Sequence, residues 1–157
     1  MQIKKGFNAN PHKSANKVTI NSFMMGSLFF ILTLVIAIDP NKFSPFVIYQ
    51  LVLAIPLLFV SSLAYSKIGY SKDTHNWDIL GWHTNNLGNL FVLNSVGLVA
   101  GNYDLLLAKI YFTLFCFLMT IYTLININHE PKSWPNRVYK LFFLLIVTIL
   151  GGVLIIL

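Results

Sequence analysis

The stretch from Trp82 to Gly101 carries His83, Asn85, Asn86, Asn89, Asn94 and Ser95, so one imidazole and four carboxamides sit in a segment long enough to cross a bilayer. Such groups can do two kinds of work inside hydrocarbon. Carboxamides replace part of the hydration shell of a polar solute or ion. An imidazole changes charge near neutral pH and can gate or pass a proton. Without partners, the same groups are costly in lipid. The segment is therefore either the working part of a membrane protein or a loop.

On a helical wheel at about 100° per residue, His83, Asn86, Asn94, Gly97 and Gly101 fall within an arc of roughly 80°. Asn85 and Asn89 lie outside it. The next apolar segment carries Lys109, Thr113, Cys116, Thr120 and Thr123 within a similar arc of roughly 80°. The two segments are joined by about two residues, so they are expected to be antiparallel neighbours. Their stripes are expected to meet as a polar seam, with His83 at one mouth, Asn94 and Cys116 midway and Lys109 toward the other mouth. Packing explains the same residues another way. Small residues such as those of Gly97-x-x-x-Gly101 let membrane helices approach closely, and amides bond between helices. Lys109 near a helix start can carry its charge out to the interface on its own stem.

A second set of polar residues lies in the loops. Asp73, His75 and Asp78 precede the polar segment and His129 follows the next one. Carboxylates and imidazoles are metal ligands, which makes these four weak metal candidates, with solvated loops as the simpler account. The chain contains no HExxH, CxxC, Walker A or GxSxG motif, and the sequence leaves any cofactor unknown. A single cysteine, Cys116, excludes an internal disulfide.

The elements that would position these groups follow from composition. Of 157 residues, 56% are apolar and only 10% charged, against about 25% charged in soluble domains. With a mean hydropathy of +0.69 this indicates an integral membrane protein. Five apolar runs, at about 18–38, 45–65, 79–101, 104–126 and 137–157, each approach the ~20 residues needed to cross ~30 Å of hydrocarbon. The first run has a basic flank but no convincing small-residue cleavage site, so it is read as a retained span. Ser44-Pro45 and Ser133-Trp134-Pro135 read as helix starts, and Pro56 is expected to kink the second run.

The net charge of +6 would suggest nucleic acid for a soluble protein. Here the basic residues flank apolar runs and report orientation instead. With the N-terminus inside, Lys4, Lys5, Lys13, Lys17, Lys67, Lys72, Lys132, Arg137 and Lys140 lie on the inner side, nine of the eleven basic residues. Removing the polar span would place Lys132, Arg137 and Lys140 outside and erase that bias. The charge pattern therefore requires the polar segment to cross.

The expected protein is an all-α integral membrane protein with five spans, N-in and C-out. It has short loops, no soluble domain and a mobile basic tail at 1–16, and residues 17–157 form a single transmembrane domain. The plasma (cytoplasmic) membrane is the expected site. Its partners are the lipid bilayer and a homo-oligomer or larger membrane complex, with no nucleic acid. Three functions stay open. The first is binding or conduction of a small polar solute or ion along the seam, by His83, Asn86, Asn94, Lys109, Thr113, Cys116 and Thr120. The second is an accessory or assembly subunit that docks another membrane protein through that seam. The third is an embedded enzyme using the loop Asp and His residues.

Overall fold

Prolines and short polar linkers divide the chain into helices. A computed structural model describes residues 11–70, 74–129 and 133–157. Helix α1 spans Pro11–Ile38, α2 Pro45–Ile68, α3 His75–Tyr103, α4 Leu105–His129 and α5 Trp134–Thr148. α5 continues through a π-helical turn at Ile149–Val153 into a last turn at Leu154–Ile156. Pro45 opens α2 directly after Ser44, where its missing N–H costs nothing. Between α3 and α4 the chain makes a single extended step at Asp104, whose Oδ1 accepts the Leu106 N–H at 2.9 Å and so caps α4. Pro56 lies inside α2 without ending it. α1 takes in residues 11–16 of the expected tail; residues 1–10 lie outside the described residues.

The described residues are all helix and linker, with no strand. Four of the five helices are long and apolar enough to cross a membrane: 25 residues of α1, the 24 of α2, the 25 of α4, and the 23 of the α5 run through Ile156. This is the composition of a multi-pass integral membrane protein. α3 is longer, 29 residues or about 43 Å at ~1.5 Å per residue. It is too polar to qualify by hydropathy.

The packing accounts for that difference, because α3 lies among α1, α2, α4 and α5 and touches all four. Its buried positions include Gly81, Gly88, Asn94, Ser95 and Gly97. The apolar helices around it turn Phe23, Phe30, Phe117 and Phe142 outward. An outer surface of exposed phenylalanines over an inner helix of amides inverts the soluble pattern and suits lipid. Leu28, Val35, Leu51, Leu58, Val92 and Leu98 form the apolar part of the core.

The helix ends alternate. Lys17 on α1 meets Tyr65 near the end of α2, Tyr65 lies on Gly81 near the start of α3, and Trp82 meets Phe143 on α5. At the opposite end, the Asn102 amide donates to the Lys42 carbonyl at 3.1 Å and Gly101 faces Ala108. Glycines set the closest approaches. Gly88 seats Leu58, and Gly97 on α3 and Gly152 after α5 both lie against the Phe112 ring of α4.

A methyl group at Gly97 would stand 2.5 Å from Phe112 Cζ, while one at Gly26 meets nothing within 4 Å. Gly97→Ala and Gly152→Ala should each destabilise by about 1–3 kcal/mol, as overpacked cores do. Phe112→Leu should recover part of that loss. Gly26→Ala should be neutral or stabilising by up to about 1 kcal/mol. Thermal melts in detergent check the series.

Candidate functional site

The α3 amides are organised by their neighbours rather than by their own stripe. Asn94 is fully buried, and its Nδ2 donates to the Val147 carbonyl on α5 at 3.2 Å. Ser95, also fully buried, donates from Oγ to the carbonyls of Phe91 and, across to α2, Val47. Gln50 on α2 donates through Nε2 to the Gly151 carbonyl at 2.6 Å. Gly151 makes this convergence possible, since a Cβ there would meet Asn94 Nδ2 at 2.6 Å and Gln50 Oε1 at 3.2 Å. α2, α3 and the π turn after α5 thus meet at one polar node.

The nearer half of α3 is arranged differently. The His83 ring lies against Trp82 and Phe143, and its Nδ1 is 2.9 Å from the Ile79 carbonyl. Asn86 donates to the Trp82 carbonyl one turn back at 2.6 Å. Asn85 and Asn89, a turn apart, are partly buried with their Oδ1 atoms sealed from the surface. On the α1 side, Asn21 is fully buried and donates to the hydroxyls of Ser61 and Ser62.

These side chains share one feature. Asn21 Oδ1, Gln50 Oε1, Asn85 Oδ1, Asn89 Oδ1 and Asn94 Oδ1 are buried with no hydrogen-bond donor among the described residues. For Gln50 and Asn94 the amide orientation is fixed by the carbonyls that accept from the nitrogen. Turning the Gln50 or Asn94 amide would press oxygen against a carbonyl oxygen. The interior therefore offers acceptors and lacks donors to match them.

The expected α3–α4 seam does not form from the two stripes. Asn94 turns to α2 and α5, and His83 to Phe143 of α5. The α3–α4 contact is made instead by Ala108 against Gly101, Phe112 against Gly97, and the Tyr111 hydroxyl donating to the Leu93 carbonyl at 2.9 Å. Seating Phe112 on two glycines turns the Lys109 and Thr113 end of the polar edge of α4 away, while Thr123 near its other end is buried. Lys109 and Thr113 are exposed and line a shallow groove on α4's outer face with Ile110, Leu114 and Phe117. Cys116 and Thr120 are half-buried, and Thr120 and Thr123 return their hydroxyls to carbonyls one turn back on their own helix. A wheel gives the direction of a stripe on its own helix but not the rotation that aromatic–glycine packing imposes.

Of the weak metal candidates, Asp73 lies outside the described residues. His75 and Asp78 sit in the first turn of α3, and His129 ends α4. Among the described residues no three His, Cys, Asp or Glu side chains converge. Three features escaped sequence reasoning: Asn21, Gln50 and the π turn. The available signal for Gln50 was a lone carboxamide in a segment of Val, Ile and Leu.

Replacing Gln50 by Leu leaves the Gly151 carbonyl without its side-chain donor. Gln50→Leu should lower bundle stability by on the order of 1 kcal/mol, the scale of interhelical hydrogen bonds in membranes. Thr113→Leu on the exposed face of α4 should change it little. Parallel unfolding titrations in mixed micelles compare the two. Comparison of the chain with protein-family models, curated proteins and solved structures returned no match.

Proposed function

We propose that the chain is a five-span, N-in membrane protein whose central helix α3 binds a small polar solute or ion inside the bundle. The observation that carries this is the set of five buried carboxamide oxygens without donors. Packing alone explains amides whose two ends are both used. It does not explain acceptors held in hydrocarbon with nothing to accept from, each costing about 1–3 kcal/mol. A ligand that presents hydrogen-bond donors or positive charge removes that cost on binding.

The orientation rests on charge. Lys17, Lys67, Arg137 and Lys140 gather at the end of the bundle where Trp77, Trp82 and Trp134 lie, and Lys42 is at the other. Basic residues and an aromatic belt at one end mark the inner face. His83 is on that side, beside the Trp82 and Phe143 rings.

A second reading is favoured by one observation. Lys109 and Thr113 are polar residues on the exposed face of α4, where lipid gives them no partner. That face suits assembly with another membrane-spanning chain.

Both readings are separated by cysteine substitution in a Cys116→Ser background. If α3 binds a hydrated ligand, a small charged thiol reagent should modify Asn85→Cys and Asn89→Cys in the folded protein, and Gly97→Cys only after denaturation. Unmodified Asn85→Cys and Asn89→Cys would refute ligand binding there. A disulfide-linked dimer through Thr113→Cys would then support assembly.

A further inference from the structure

The chemistry of the node at Gln50, Asn94 and Gly151 is more specific than that of the other amides. In an uninterrupted α-helix the Val147 carbonyl would accept from the Gly151 N–H, and the Gly151 carbonyl from the Ile155 N–H. Here Asn94 and Gln50 donate to those two carbonyls. Between them the helix widens, and the Leu154 N–H reaches back five residues to the Ile149 carbonyl. Side chains inserted into the ladder and a glycine pair are recognised causes of such a turn, and π turns recur at functional sites.

What remains at the node is oxygen. Gln50 Oε1 and Asn94 Oδ1 have no donor among the described residues, and the two residues are 6% and 0% exposed. Both amides crowd the position a Gly151 Cβ would take, Gln50 through Oε1 and Asn94 through Nδ2. Every carboxylate in the chain (Asp39, Asp73, Asp78, Asp104 and Glu130) falls at helix ends or between helices by sequence position. Two neutral, unmatched amide oxygens suit a cation of single charge. A divalent ion would demand carboxylates. The node also lies near the outer face, since Gln50 is five residues, about 8 Å at ~1.5 Å per residue, from Pro45 at the start of α2.

We propose that the Gln50–Asn94–Gly151 node binds one monovalent metal cation, Na⁺ or K⁺, through carboxamide and backbone carbonyl oxygens. This rests on the reading that α3 takes a small polar ligand, and it assigns the class of that ligand. The cation satisfies both orphan oxygens at once and ties α2, α3 and α5 together near the outer face.

The test is thermal unfolding of the purified full chain in choline chloride, titrated with NaCl, KCl or NH₄Cl at constant ionic strength, with bound ²²Na⁺ or ⁸⁶Rb⁺ counted in parallel. Wild type should show a saturable rise in Tm of about 2–4 °C with Na⁺ or K⁺, and one bound ion per chain. Gln50→Leu and Asn94→Leu should lose both. Should those variants not fold, Gln50→Glu keeps the shape and adds charge, and should bind about tenfold more tightly. An unchanged affinity in Gln50→Glu would overturn the proposal. So would a wild-type Tm equal in all chlorides with no bound ion, in which case water alone satisfies the node. So would a rise with NH₄⁺ only, which would mean a hydrogen-bonding donor rather than a metal ion. If Asn89→Cys is labelled while no cation binds, α3 is hydrated and only the cation assignment falls. If neither occurs, ligand binding by α3 falls with it.

Discussion

The fold is organised around one polar helix, whose amides are costly to bury among apolar helices unless they find partners. α3 carries more amides than any other helix of the bundle, and the other four shield it. Its glycines bring α2 and α4 close enough to do so, with Gly81 under Tyr65, Gly88 against Leu58 and Gly97 against Phe112. The buried donors then find carbonyls or hydroxyls: Asn21 on Ser61, Ser95 on Val47, Asn94 on Val147 and Gln50 on Gly151. Satisfaction is one-sided. For Asn21, Gln50 and Asn94 the amide nitrogens join helices, and the oxygens have no donor among the described residues.

That asymmetry links packing to chemistry. Interhelical amide bonds and a ligand site are usually rival explanations for polar residues in a membrane. In this bundle the nitrogens of Asn21, Gln50 and Asn94 serve the first, and their unmatched oxygens motivate the proposal of the second. Gly151 shows how closely the two are joined. It lets the Asn94 and Gln50 amides reach the backbone of the α5 run, where any side chain would displace them.

Much of the helical plan is legible in the sequence, because proline, serine and aspartate act locally. Pro45, Trp134-Pro135 and Asp104 mark boundaries by their own backbone chemistry, and the structure places helix ends there. The polar face of α3 is legible as well, because periodicity belongs to a single helix. What it faces is not. Asn94 turns to α2 and α5 because Phe112 occupies the cleft made by Gly97 and Gly152, a contact between residues 40 positions apart or fewer in two directions at once. The Lys109–Thr113 edge points outward for the same reason. Gln50 was illegible as a site residue because its partner is 101 residues away. The π turn arises from that partner and from Asn94, not from a local signal other than Gly151-Gly152.

The claim on which the rest depends is that α3 crosses the membrane inside its four neighbours. The direct measurement is sided labelling of its two ends in intact cells and in inverted vesicles, with single cysteines at Asn76 and Tyr103 in a Cys116→Ser background. Tyr103 is 95% exposed and Asn76 is exposed as well, so both positions are open to reagent. The expected result is that an impermeant thiol reagent reaches Tyr103→Cys from outside the cell and Asn76→Cys only in inverted vesicles. Labelling of both from the same side would contradict it, because α3 would then be a surface helix or a hairpin and its amides would lie in water.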